Sequence, residues 1–300
     1  VPAVWASDAV RAWHAAVFAR PVAPSVVRQG ELLATQIWPG VVPPLSRSPD
    51  FAAHSLGGLR GADVLLVFME SYGACTLDDA AQREALAPAR TRLLQRLASS
   101  GRQVVSTRVR SPTFGGSSWL AHAALLAGVD THDPGDYERL LASDRPTLVS
   151  MFRDHGWRTV AWMPGLQRPW PEGRFYGFDR YADAQGMGYA GFLLGFWKIP
   201  DPASMALLHR QELIDSGAPR QPRFVVFPTL DSHAPFRPLA PFDGDWARLA
   251  TAQAYTPAQV NTALAQPPDW SQARPAYLEA IGASMDWLGS YLAGPAPRGL

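Results

Sequence analysis

Three short segments carry side chains that could do chemistry on an anionic substrate. Glu70 interrupts an apolar run, ADVLLVFMESYG, and the turn Gly115–Ser118 opens a run of small residues. A third segment, Thr229–Phe236, contains Asp231 and His233. A carboxylate can hold a divalent ion, the ion lowers the pKa of a hydroxyl, and a histidine can donate a proton to a leaving oxygen. These residue types suit metal-assisted transfer at phosphorus or sulfur.

Each of these residues also has a purely structural interpretation. Glu70 could cap the helix that follows its strand, and Ser117 or Ser118 could be the N-cap of a helix, which is a common role for serine. His233 could be a hydrogen-bonded loop histidine. The presence of all three segments in one chain, each after a strand-like run, favours the chemical interpretation.

The hydrophobic pattern predicts the elements that must position these residues. Apolar runs predict strands and apolar stripes at helical spacing predict helices, and the two alternate along the chain. This rhythm predicts an α/β fold with a mostly parallel central sheet and helices on both faces. Side chains at the carboxyl ends of such strands would then meet at one edge. The predicted strands are Asp63–Met69, Gln103–Val109, Thr159–Met163 and Arg223–Pro228, and the predicted helices are Ala80–Ser99, Ser117–Ala127, Thr147–His155 and Ala276–Leu292.

Composition shifts predict the domain organisation. Residues 1–60 contain a predicted helix at Val10–Phe18 and then a stretch rich in Pro, Ser and Gly, which is typical of a connecting arm. Residues 61–300 form the predicted catalytic domain. Within it, Pro164–Asp201 is dense in Gly, Pro and aromatic residues, a composition that suits long loops walling a pocket, or lids packed over a core.

Charge and cysteine content exclude several classes of function. The 27 basic and 26 acidic side chains leave the chain almost neutral, so nucleic acid is not an expected partner. Cys75 is the only cysteine, which excludes an intrachain disulfide and a cysteine-based metal cluster, and we expect it to pack as a small hydrophobe. No apolar run approaches the roughly 20 residues needed to span a bilayer.

Two further histidines are weighed as structural. His122, one helical turn after the serines, is expected to pack beneath the site rather than act as a base. The segment GVDTHDPGD brings His132 close to acidic residues and could hold a metal, yet Asp-Pro-Gly-Asp is ordinary turn chemistry, which we favour.

These segments resemble the alkaline phosphatase superfamily, in its sulfatase-like branch of lipoteichoic acid synthases and of phosphoglycerol and phosphoethanolamine transferases. VLLVFMESYG is similar to the family's first metal-ligand strand, which implies that Glu70 binds the ion. SPTFGGSSWLAHAALLAG is similar to the nucleophile segment, which implies that Ser117 is the nucleophile and a metal ligand. The resemblance implies a divalent ion, Mn²⁺, Zn²⁺ or Mg²⁺, and a phospho-serine intermediate.

The resemblance also implies residues that bind the substrate head group. RPWPEGRFYGFDRY is similar to a family segment that supplies an aromatic ring and an arginine, here Trp170 and Arg174, with Arg168 as the competing arginine. TLDSHAPF is similar to the family's Ser/Asn-His-x-Pro-Phe segment, which makes His233 the substrate-side histidine. Asp286 lies in a helix similar to the one before the family's last metal-ligand strand, and it is expected to face its own packing.

The implied activity is metal-dependent transfer or hydrolysis of a lipid or glycan head-group phosphodiester, at a membrane surface on the extracytoplasmic or periplasmic side of a bacterial cell envelope. Two departures qualify it. The family's final Gly-Asp-His segment, which completes the metal site, is absent before Leu300, so the domain is expected to be truncated. The Pro and Arg that direct formylglycine formation follow neither Cys75 nor Ser117, which disfavours true sulfatase activity. An ester hydrolase of the same fold and a catalytically silent binding relative remain the alternatives.

Overall fold

The computed structural model of the protein describes residues 44–214 and 220–294, together with the single positions 26, 27, 30 and 34. The chain divides into two compact units, Val1–Ser46 and Arg47–Leu300. The predicted helix at Val10–Phe18 lies outside the described residues. The organisation into an arm over 1–60 and a catalytic domain over 61–300 stays a prediction.

A four-stranded parallel sheet forms the centre of the larger unit. In chain order its strands are β1 (Val64–Phe68), β2 (Arg158–Trp162), β3 (Arg180–Ala182) and β4 (Arg223–Pro228). Their spatial order is β1-β4-β2-β3, and every pair is parallel. The predicted α/β fold class is therefore confirmed, and three of the four predicted strands form.

Helices cover both faces of this sheet. The long helices near the two ends of the described domain, α2 and α9, pack against each other. Helix α5 begins with a capping box, in which Thr147 and Ser150 satisfy each other's backbone amides. The helices are α1 (Cys75–Asp78), α2 (Ala80–Ser99), α3 (Ser118–Ala127), α4 (Pro134–Leu141), α5 (Leu148–Asp154), α6 (Asp201–Leu208), α7 (Trp246–Leu249), α8 (Pro257–Leu264) and α9 (Ala273–Ala293).

Strand β4 shows how the side chains divide between the two faces. It lies between β1 and β2, and Phe224–Phe227 are buried. Because side chains alternate along a strand, Val225 and Phe227 join the core cluster that includes Trp287 of α9, whereas the Phe224 ring stacks on Phe152 of α5 at 4.0 Å. A run that is apolar on both faces is what a central parallel strand requires.

The predicted strand at Gln103–Val109 is wrong. These residues have no regular secondary structure, and Val105 and Val109 are 95% and 81% exposed. Local alternation of apolar residues makes a strand only where a neighbouring strand supplies hydrogen bonds, and in the described sheet β1 is an edge strand. Strand β1 was expected to be buried but is only half-buried, because it is an edge strand with a neighbouring strand on one side only.

The expectation that Cys75 packs as a small hydrophobe is also wrong. The residue is an exposed free cysteine at the start of the short helix α1. Its Sγ lies 3.8 Å from the hydroxyl of Tyr277. The next residue, Thr76, is buried, so it is the outward direction of the Cys75 side chain that leaves this residue exposed. Within the described parts of the chain, no helix is both long and apolar enough to cross a lipid bilayer.

Candidate active site

Hydrogen bonds join the segments that follow β1 and β4. The backbone N–H of Glu70 donates to Thr229 Oγ1 at 2.9 Å, and the Ser232 hydroxyl donates to the carbonyl oxygen of Glu70 at 2.6 Å. Because β1 and β4 are parallel neighbours, their carboxyl ends share one edge. The structure therefore brings Glu70 and the His233 segment together at this edge, as the sequence predicts.

Ser117 lies in a strained turn immediately before α3. Its φ is +54°, and the two preceding residues, Gly115 and Gly116, have φ of +71° and +146°. A non-glycine residue in the left-handed region costs backbone energy, and such residues cluster at functional sites. The Ser117 side chain is exposed and makes no capping hydrogen bond to the helix that it precedes. Its hydroxyl is thus presented outward rather than used to cap the helix.

Helix α3 is held against the end of β1 by a ring contact. The His122 imidazole stacks on Phe68 with 4.1 Å between ring centroids and 30° between planes. Burial lowers the pKa of His122 to about 4, so the ring is neutral at pH 7. As predicted, His122 packs beneath the site. The contact places the first turn of α3 on the same side of the molecule as the residues that follow β1.

An aromatic cavity of about 500 Å³ lies at the carboxyl ends of β2 and β4. Its floor includes Val226 and Pro228 of β4 and Met163, which follows β2. The cavity falls where open parallel sheets bind ligands, and its volume is typical of small-molecule sites. Trp170, predicted to bind substrate, lines it. The aromatic walls are Trp119, Tyr137, Trp170, Tyr176 and Trp197.

His233 faces a smaller neighbouring cavity of about 20 Å³. Trp197 and Leu230 line both cavities, and the Trp197 ring packs edge-on against His233 at 4.5 Å. His233 Nδ1 lies 2.8 Å from the carbonyl oxygen of Ala234. Because a carbonyl only accepts, Nδ1 carries the hydrogen, and Nε2 is left to exchange a proton or a hydrogen bond with a ligand.

The two candidate arginines lie away from the aromatic cavity. Arg174 is exposed on the 3₁₀ turn Pro171–Phe175, and Arg168 is exposed shortly before it. Neither lines the cavity, whereas Glu172 of the same turn does. The assignment of Arg174 to the substrate head group stays a prediction.

A buried carboxylate that the sequence analysis did not select supports the His233 segment. Asp201, fully buried at the start of α6, accepts the backbone N–H groups of Leu230 and Asp231, each at 2.8 Å. Asp231 in turn accepts the backbone N–H of Asp201 at 3.2 Å. Burial raises the pKa of both acids, that of Asp231 to about 7, and the negative charges of Asp231 and Glu70 add to the effect on Asp201. The one sequence feature that could have drawn attention to Asp201 is its position between two prolines at the start of a helix.

The described residues do not by themselves complete a metal site. Within them, no three His, Cys, Asp or Glu side chains come together as a group that could hold an ion. Glu70 offers one carboxylate, which is fewer donors than a structural or catalytic metal site uses. In the other candidate cluster, Asp133 caps α4 by accepting the N–H of Asp136 at 2.9 Å, which supports the turn interpretation of that segment.

Comparison with known proteins supports the fold. No protein-family model matches the chain, and no curated protein matches it in sequence. Among solved structures, it is similar to lipoteichoic acid synthase LtaP from Listeria monocytogenes, with a TM-score of 0.50 and 12% identity. The match covers 83% of this chain and 54% of the LtaP chain, so this chain spans about half the length of that structure. At this identity the likeness concerns the fold alone, and it supports the α/β fold described above.

Proposed function

We propose that this chain is the catalytic part of a phosphotransferase or phosphodiesterase that acts on a lipid or glycan head-group phosphodiester. Ser117 is the proposed nucleophile. The observation that carries the proposal is the turn at Ser117: a strained serine, not engaged in capping, that precedes the helix whose residues Trp119 and His122 line the cavity at the carboxyl edge of the sheet. A serine that served only as an N-cap would accept a hydrogen bond from a backbone N–H in the first turn of the helix.

The reaction proceeds by two displacements at phosphorus. The Ser117 oxygen attacks the phosphodiester, a serine–phosphorus bond forms, the bond to one alcohol breaks, and that alcohol leaves with a proton. Water or an acceptor alcohol then attacks the phospho-serine and releases Ser117. His233 supplies or removes a proton at Nε2, because its Nδ1 hydrogen is held by Ala234. The backbone N–H groups at the start of α3 face the anionic phosphoryl group.

Glu70 is the proposed contribution of this chain to a divalent metal ion, Mn²⁺, Zn²⁺ or Mg²⁺. The backbone N–H of Glu70 donates to Thr229, and its carbonyl oxygen accepts from Ser232. These two hydrogen bonds hold the residue at the sheet edge. When bound, such an ion would supply positive charge at the phosphoryl group. Because the described residues do not complete a metal site, no step above depends on the ion. The proposed setting is the extracytoplasmic side of a bacterial membrane, where head-group substrates would be available.

The proposal is tested by trapping the phospho-enzyme. The chain is incubated with Mn²⁺ and vesicles of phosphatidylglycerol, phosphatidylethanolamine or phosphatidylcholine, and the products are analysed by peptide mass spectrometry. We expect an adduct on Ser117 made of the phosphoryl group and the alcohol that did not leave, which is lost in Ser117→Ala and retained in Ser118→Ala, the variant that removes the neighbouring hydroxyl. Absence of any adduct, or an adduct retained in Ser117→Ala, would contradict the proposed nucleophile.

A catalytically silent binding relative is the second candidate. The observation that favours it is the incomplete metal donor set among the described residues. It predicts that the chain binds an anionic or zwitterionic head group without forming an adduct, and that Ser117→Ala binds as well as the unmodified chain. Binding measured by calorimetry beside the adduct assay separates the two candidates.

A further inference from the structure

The charges around the aromatic cavity are unusual for a site expected to receive part of a phosphodiester. Among the residues that the structure describes, no Lys or Arg lines this cavity. Its acidic member is Glu172, and its histidine, His122, is part-buried and has a pKa lowered to about 4 by desolvation. An anionic group would find no opposite charge there, so the phosphoryl group belongs outside the cavity, near Ser117.

The aromatic rings around the cavity are inclined to one another and do not form one flat stack. Trp119 and Tyr137 lie 4.6 Å apart with their planes inclined at 76°, and Trp170 and Tyr176 lie 5.7 Å apart at 34°. The four residues come from two separate parts of the chain, α3 with α4 and the loop after β2, and all of them line the same space. Ring faces carry negative partial charge, and the face of Trp attracts cations most strongly.

Glu172 adds a full negative charge to this wall. Its carboxylate contributes to raising the pKa of Tyr137, after the larger effect of burial, so the carboxylate lies near that phenol. The neutral state of His122 leaves this charge unopposed within the cavity. The cavity therefore combines aromatic rings, one carboxylate and a hydrophobic floor.

We infer that this cavity binds a quaternary ammonium group. The inference rests on the proposed function, because the ammonium would belong to the alcohol part of the phosphodiester whose phosphorus Ser117 attacks. A trimethylammonium group has no N–H donors, so it needs ring faces and a nearby negative charge rather than hydrogen-bond acceptors. A primary ammonium has three donors, and the cavity offers few acceptors to satisfy them. A neutral apolar group would gain nothing from Glu172.

Binding of free head-group alcohols tests the inference without turnover and without a metal. Choline, ethanolamine and the uncharged carbon isostere of choline, in which a tert-butyl group replaces trimethylammonium, are titrated into the chain by calorimetry. We expect choline to bind about tenfold more tightly than either of the others, the size of effect that a desolvated cation–π contact gives. Equal binding of the carbon isostere would show a merely apolar cavity and overturn the inference. Equal binding of ethanolamine and choline would overturn the inference that the cavity selects quaternary ammonium groups.

Substitutions on the wall locate the binding. Trp119→Leu keeps an apolar side chain but removes a ring face, and Glu172→Gln removes only the charge. Both positions are substantially exposed, so the fold should tolerate the changes. Each should weaken choline binding about fivefold to tenfold and leave binding of the carbon isostere within about twofold. Trp270→Leu and Glu84→Gln are matched controls, since both are exposed and neither lines the cavity. Wall variants that bind choline like these controls would overturn the inference.

Different results would contradict the proposed phospho-serine transfer and the proposed quaternary ammonium site. Selective choline binding without a phospho-serine adduct would retain the ammonium site and remove the proposed transfer activity. An adduct on Ser117 without selective choline binding would retain the activity and overturn the ammonium site.

Discussion

Asp201 and Asp231 are joined by reciprocal hydrogen bonds, in which each carboxylate accepts the backbone N–H of the other residue. The Asp201 carboxylate accepts the N–H of Asp231 at 2.8 Å, and the Asp231 carboxylate accepts the N–H of Asp201 at 3.2 Å. One aspartate begins α6 and the other follows β4, two residues before His233. The pair therefore joins the start of a buried helix to the segment that carries the candidate substrate histidine.

Removing the Asp201 carboxylate should destabilise the protein. In Asp201→Ala, the buried N–H groups of Leu230 and Asp231 lose their acceptor, and each unsatisfied group costs about 1–3 kcal/mol. We expect the free energy of unfolding to fall by about 2–4 kcal/mol in urea titrations. Asp201→Asn keeps one oxygen acceptor and should lose less than half as much. Equal losses in the two variants would assign the effect to packing rather than to these hydrogen bonds.

The same pair makes stability depend on pH. Burial raises the pKa of Asp231 from 3.8 to about 7, so between these values the folded protein binds more protons than the unfolded chain. The contribution of Asp231 to the free energy of unfolding is therefore greatest below pH 4, declines as the pH rises to about 7, and then stays constant. Asp231→Asn removes this titration, and the decline of the unfolding free energy between pH 4 and pH 7 should be smaller by up to about 4 kcal/mol. An unchanged decline would show that Asp231 titrates normally.

Ser117 can be distinguished from an N-cap by stability alone. An N-cap serine contributes about 1 kcal/mol, but the Ser117 hydroxyl makes no capping bond, so Ser117→Ala should change the free energy of unfolding by less than about 0.5 kcal/mol. Ser117→Gly should stabilise the protein by about 0.5–1 kcal/mol, because glycine accepts a φ of +54° without strain.

Thr147 provides the matched control for Ser117. Its side chain caps α5 in a capping box, and Thr147→Ala should cost about 1–2 kcal/mol. Thermal and urea unfolding of the three variants make the comparison. A cost for Ser117→Ala equal to that for Thr147→Ala would restore the capping role and weaken the case for a nucleophile.

The strands and helices with strong local signals could be predicted from the sequence. The apolar run of β4 and the stripe of α9 need no distant partner to be recognised, because their periodicity is local. Asp286 also behaves as expected, since it pairs with Arg92 at 2.6 Å on the packed side of α9. Gln103–Val109 has an equally good local pattern and forms no strand, because a strand also needs a neighbour.

The cavity could be predicted only in part. The aromatic loop over Pro164–Asp201 was expected to wall a pocket, and Trp170 and Trp197 do so. Trp119 and Tyr137 precede that loop in the chain, and only the packing of α3 and α4 brings them to the same space. Asp201 was missed because a carboxylate at a helix start is usually an ordinary cap, and its burial depends on contacts distant in sequence.

Glu212 joins the starts of three strands and should make a large ionic contribution to stability. It is buried and pairs with Arg158 of β2, Arg180 of β3 and Arg223 of β4, at 3.3, 2.7 and 2.9 Å. Burial opposes its ionisation, but the guanidinium groups of Arg158 and Arg180 hold the pKa below the usual 4.5. Glu212→Gln should lower the unfolding free energy at pH 7 by about 2–3 kcal/mol, somewhat less than for a fully buried pair because two of the arginines are partly exposed.

The pH dependence of that loss identifies its origin. Because the folded pKa of Glu212 is lowered, its contribution is present above about pH 4.5 and disappears as the pH falls through the folded value. The gap between Glu212→Gln and the unmodified protein in urea titrations should therefore close on acidification. Asp286→Asn, which breaks a more exposed pair with Arg92, is the control and should cost less than about 1 kcal/mol at pH 7. A gap for Glu212→Gln that persists in acid would mean that the loss comes from packing rather than from charge.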